Sequence, residues 1–173
     1  MDHRSSDERA DTRIFWITPR IAQGPFATAP RAVRLRAEGV THVLNVAESS
    51  NGLPCGPDGF REVAWHPIDD LVRIPELSAI ACITKIHRIL SEADSKVYIH
   101  CVAGQLRAPA ILWLYLVACG IDRVSARRLI EEKNHDAVVA HPRLVDQALV
   151  AHVLRYGQEN ALTAASLGLD EYD

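Results

Sequence analysis

Three absences narrow what this 173-residue chain can be. There is no cysteine framework: Cys55, Cys82, Cys101 and Cys119 form no C-x-x-C pair and are far too sparse for a disulfide-stapled scaffold. There is no long apolar run, because the longest, Ala108 to Cys119, is too short to span a bilayer and reads as buried helix. There is no basic surplus either: 19 Lys and Arg against 22 Asp and Glu leave a net charge of −3, which argues against general nucleic-acid binding. The charged stretch Asp2 to Arg13 shows no secretory signal, and Asp170-Glu171-Tyr172-Asp173 carries no prenylation box. The expectation is a cytoplasmic, reducing location with no membrane anchor and no nucleic-acid partner.

The length and ordinary apolar content suit one domain with a real core. Short β-rich runs occur at Ile14–Ile17, Arg20–Ala22, Val40–Val46, Glu62–His66 and Val97–His100. Helices are expected between and after them. Thr28 caps one that stops at Gly39, and Pro75 opens one reaching Ser91 with Leu77, Ile80, Ile83, Ile86, His87 and Leu90 at helical spacing. Asp122 caps Arg123–Asn134, with Val124, Leu129 and Ile130 inward. A last helix from Pro142 to Tyr156 turns Leu144, Ala148, Val150, Ala151 and Leu154 inward. The fold expected is α/β, a single domain whose central, mostly parallel sheet of four to five strands is flanked by helices. Residues 1–12 read as a flexible lead-in, 13–158 as the domain and 159–173 as a tail.

The chemistry concentrates in His100-Cys101-Val102-Ala103-Gly104-Gln105-Leu106-Arg107-Ala108-Pro109, between the Val97–His100 strand and an apolar helix. A helix N-terminus presents free N–H groups and the positive end of the dipole, so it holds anions and lowers the pKa of a nearby thiol. The N–H groups of residues 102 to 106 can curl into an anion nest, with Gly104 supplying the unusual dihedrals. Arg107 would grip two phosphate oxygens through its planar fork. Cys101 would attack phosphorus to give a phosphocysteine, and His100 would order the loop through hydrogen bonds. This reads as a cysteine-dependent phosphatase acting on phosphorylated proteins or small phosphoesters.

His-Cys-x-x-Gly-x-x-Arg after a strand, with an acidic loop upstream, resembles the protein tyrosine and dual-specificity phosphatase superfamily. Gly39 to Val46 resembles a core strand of that family, and Trp16 to Gly24 its N-terminal entry. The loop is most similar to the phosphatases of regenerating liver, which also carry Ala at the position of Ala108 and an acid loop like Trp65-His66-Pro67-Ile68-Asp69-Asp70. Gln105-Leu106 departs from that pattern, and Ala47 stands where that subfamily has a redox cysteine. The resemblance implies a general acid, Asp70 or, one residue earlier, Asp69. It implies no cofactor and no metal, since Arg107 and backbone N–H groups neutralise the phosphoryl charge. It also implies that Ala108, lacking the usual hydroxyl, slows phosphocysteine hydrolysis. The rival expectation is a weak or inactive phosphatase that binds phosphorylated partners. Cys55, in a Gly/Pro-rich loop, is a candidate disulfide partner for Cys101 or an inert surface thiol. Cys82 and Cys119 are expected in the core, and the remaining histidines show no zinc-ligand spacing.

Overall fold

Each β-rich run becomes a four-residue strand in the computed structural model, which describes residues 13–167: β1 Phe15–Thr18, β2 Ile21–Gly24, β3 His42–Asn45, β4 Glu62–Trp65 and β5 Val97–His100. They form one sheet in the order β1-β2-β5-β3-β4, with only β1 antiparallel to its neighbour. Strand β5 is therefore central. His100 at its end lies opposite Gly24 of β2 and Asn45 of β3. Three parallel strands thus stop level with one another, and the loops leaving them emerge on one edge, where open α/β sheets bind ligands.

Alternation along the strands loads both faces of the sheet. Val43 and Tyr98 face a small cluster with Leu35 and Phe60 beside α1 (Ala29–Ala37). Leu44, Val97 and Ile99 face the larger core made with α2 (Glu76–Ser91), α3 (Arg107–Ala118), α4 (Arg123–Lys133) and α5 (Gln147–Glu159). Every residue of α3 is buried, as its unbroken apolar run requires. Thr28 caps α1 by accepting from Arg31 N, and Asp122 caps α4 by accepting from Val124 N and Ser125 N.

Three expectations about faces and boundaries need correction. Val124 is 66% exposed, because a helix starting at Arg123 turns Ala126 and Ile130 inward, one turn apart. Leu77 is 85% exposed, and the buried stripe of α2 begins at Ala79 and Cys82. Helix α5 begins at Gln147 and not at Pro142. The preceding residues form a turn in which Leu144 N and Val145 N donate to His141 O, and Asp146 then caps the helix through Leu149 N. Leu149, Val150 and Val153 point inward, and Ala148 and Ala151 are exposed. Alanine fits either face, so its spacing could not set the phase. After α5, Leu162 and Leu167 are buried against the main core, so part of the stretch read as a tail packs on the domain. The expected lead-in of residues 1–12 lies outside the described residues.

Candidate active site

The loop of residues 101–106 leaves the central strand and enters α3, held from outside at three points. Phe26 N donates to Val102 O at 2.9 Å, and Val138 N donates to Gln105 O at 2.8 Å. A trans peptide sets each N–H antiparallel to the preceding C=O, so the N–H groups of Ala103 and Leu106 point away from those anchors. At the third point Gly104, with φ +75°, lies directly on Gly24 and Pro25 at the end of β2. A side chain has neither the dihedral nor the space there. Cys101 is buried at the entrance, Arg107 is buried at the exit, and Val102, Ala103 and Gln105 are exposed between them.

Arg107 is fixed through one nitrogen. Its Nη1 donates to Ile68 O at 3.1 Å and pairs with Glu48 Oε1 at 2.8 Å, and its Nε stands 3.7 Å from Asp70 Oδ1. Anchoring Nη1 sets the plane of the guanidinium while Nε and Nη2 keep the second edge of the fork. Of the two acids considered in the sequence, both exposed, Asp70 is the one placed next to Arg107. Glu48 was not among the residues read from the sequence. It follows β3, the parallel neighbour of β5, and its only advance signal is that position at the carboxyl edge of the sheet. The hydrogen bond from Arg107 holds its carboxyl below the usual carboxylate range.

His100 is fully buried, between the edge of Phe26 (ring centroids 5.0 Å apart) and the stacked ring of Tyr98 (5.7 Å). Its Nδ1 lies 3.0 Å from Cys101 O and its Nε2 lies 2.9 Å from Asn51 Nδ2. Burial pushes its pKa down to about 4, so the ring is neutral at pH 7. Ala108 is buried in the first turn of α3. Cys55 is exposed, whereas Cys82 and Cys119 are buried and burial raises their pKa values to about 12 and about 11. Outward from the loop, Val102, Val138, Leu71 and Val72 leave apolar side chains exposed on segments bonded to it or adjoining Asp70. Among the described residues, no group of three or more His, Cys, Asp or Glu is placed to hold a metal ion.

Solved structures of low sequence identity share this architecture. The human tyrosine phosphatase-like serine/threonine/tyrosine-interacting protein superposes with a TM-score of 0.65 at 19% identity, covering 87% of this chain and 99% of that one. PTPMT1 in complex with PI(5)P superposes with a TM-score of 0.68 at 15% identity, covering 84% and 96%. The fold is that of the dual-specificity phosphatases. In sequence, the chain is similar to protein tyrosine phosphatase type IVA 3 of Homo sapiens, 32% identical over 106 residues, and to type IVA 2 of Mus musculus, 29% identical over 105. These matches cover 60% of this chain and span 61% and 62% of the relatives' own length. No family model matches the chain. No helix among the described residues is long and apolar enough to cross a membrane.

Proposed function

We propose that the protein is a cysteine-based phosphatase that hydrolyses phosphomonoesters through a phosphocysteine on Cys101. The observation that carries the reading is a buried Cys101 and an oriented Arg107 at the two ends of one strand-to-helix loop, with Asp70 Oδ1 3.7 Å from Nε of that arginine. The phosphoryl group sits in the nest of N–H groups from residues 102–106, gripped by Nε and Nη2 of Arg107. The Cys101 thiolate attacks phosphorus as the ester P–O bond breaks, and Asp70 gives its proton to the departing oxygen. The same carboxylate then takes a proton from water, which attacks phosphorus and releases Cys101 and inorganic phosphate. The developing charge is met by Arg107 and the backbone, so no step calls for a metal.

The loop has a single cation, Arg107, and an apolar surround in Val102, Val138, Leu71 and Val72. That supports a monophosphate carried on a side chain of a protein over a multiply charged ligand, in the cytoplasm, where Cys101 stays reduced. The rival reading, a phosphate-binding module without turnover, gains nothing from an acid beside Arg107, since a carboxylate there repels a merely bound phosphate. Hydrolysis of an aryl phosphate by the wild type, abolished in Cys101→Ser and reduced by about 100-fold in Asp70→Asn, is the expected result for general acid catalysis. Wild-type protein that binds phosphopeptide without releasing phosphate establishes the binding module instead.

A further inference from the structure

Asn51 stands outside the chemistry just described, yet it reaches the buried base of the loop. It lies on the Gly- and Pro-rich connection between β3 and β4, 49 residues from its contact in the chain. Its single amide nitrogen makes two contacts, 2.9 Å to His100 Nε2 and 3.1 Å to Ala27 O. Carbonyl oxygens only accept, so the Cys101 carbonyl requires the proton of His100 on Nδ1, and Nε2 is left as an acceptor for Asn51. The resulting chain of donors runs from Asn51 to His100 to the Cys101 carbonyl. Ala27 ties the same amide to the turn whose Phe26 N holds Val102 O.

We infer that Asn51 is a positioning residue for the phosphate loop, its amide fixing the Nδ1-protonated tautomer of His100 and through it the peptide that follows Cys101. The contribution is the donor and not the volume: an aspartate of the same shape offers two acceptors to groups that need donors, Nε2 and Ala27 O. The groups facing the imidazole leave the amide as the deciding one. Arg31 on α1 opposes a positive ring, Tyr98 on β5 stacks on it, Phe26 meets its edge, and Cys101 adjoins it in the loop. With a carboxylate at position 51, Nε2 gains a proton and the ring becomes an imidazolium at neutral pH.

The inference rests on the phosphatase reading for its kinetic arm only. Nitrogen-15 NMR of the histidine rings in the full chain reads the tautomer directly. The expected wild-type spectrum has protonated Nδ1 and unprotonated Nε2 on His100, unchanged from pH 8 to pH 5. In Asn51→Asp, His100 is protonated at both nitrogens at pH 7. Aryl phosphate turnover then falls at least about tenfold, a lost interaction of the order of one hydrogen bond. The decisive comparison is with Asn51→Ala: a lost donor makes Asn51→Asp at least as damaging as Asn51→Ala, whereas a packing role makes the isosteric Asp the milder change. A wild-type His100 protonated on Nε2, or an Asn51→Asp protein with the wild-type pH–rate profile, overturns the inference. A wild type without turnover but with the expected His100 spectrum overturns the phosphatase reading and supports the Asn51–His100 link.

Discussion

Replacing Gly104 with alanine tests whether the loop owes its shape to the strand beneath it. Two costs add. The backbone sits at φ +75°, and a residue with a Cβ pays about 1–2 kcal/mol to hold that left-handed conformation. The new Cβ would also stand 2.7 Å from Gly24 O and 2.7 Å from Pro25 N, and hard against the Gly24 carbonyl carbon. These are backbone atoms at a strand end, so no rotamer change relieves them, and overpacking of this kind costs about 1–3 kcal/mol. The sum is about 2–5 kcal/mol. Gly120 provides the control: its φ is +90°, and a Cβ there meets nothing within 4 Å, so Gly120→Ala carries the dihedral cost alone. In urea unfolding, with a slope of about 2 kcal/mol per M, the midpoint of Gly104→Ala should fall by about 1–2.5 M and that of Gly120→Ala by about 0.5–1 M. If the loop yields in place of the fold, the midpoints draw together, but aryl phosphate turnover by Gly104→Ala falls more than about tenfold because the nest opens. Equal midpoints with a wild-type rate in Gly104→Ala would refute the reasoning.

Ala108→Ser returns a hydroxyl to the first turn of α3; one hydrogen bond to the departing sulfur, about 1 kcal/mol, should raise steady-state turnover about fivefold and reduce trapped phosphocysteine, measured by rapid quench. No change in a folded Ala108→Ser protein would remove the hydroxyl from the account. Burial lowers the His100 pKa from 6.5 to about 4, so the folded protein binds fewer protons than the unfolded chain between those values. The stability this confers is complete above pH 6.5 and is lost as pH falls toward 4, by about 2 kcal/mol between pH 7 and pH 5, which urea midpoints across that range will measure. Leu71, 41% exposed beside Asp70, has a left-handed φ of +54°. Leu71→Gly should therefore be neutral or stabilising by up to about 1 kcal/mol in urea, where an exposed leucine in ordinary backbone would lose stability on the same change.

What could be read from the chain was what lies close together along it. His100, Cys101, Gly104 and Arg107 share one loop, so their chemistry shows in their spacing, and Thr28 and Asp122 announce their helices because a cap bonds within three residues. Residues that act across the sheet leave no such mark. Glu48 meets Arg107 because β3 and β5 are parallel neighbours of matched length, a fact of pairing that neither stretch contains. The same holds for Val138, in the segment that follows α4, whose N–H reaches Gln105 O from a distant part of the chain. The misplaced faces of Val124, Leu77 and α5 have a different cause. Alternatives one residue apart in phase bury similar apolar area, and tertiary packing chooses between them.

The connection between β3 and β4 has more influence on this site than its irregular composition indicates. It supplies Glu48, which fixes Nη1 of the arginine, and Asn51, which fixes the imidazole ahead of the cysteine, from positions three residues apart. It holds its own shape through Asn45, whose side chain donates to Ser49 O and accepts from Ala47 N at the end of β3. Asn45 is buried and lies directly opposite His100 in the sheet, so the root of this connection is in register with the root of the phosphate loop. Any change that shifts the β3–β5 pairing would move Glu48 and Asn51 together relative to Cys101 and Arg107. Both ends of the reactive loop are thus referenced to one neighbouring strand, so the parallel pairing of β3 with β5 joins the helix that begins at Arg107 and the Ile68 carbonyl in holding thiol and guanidinium in place.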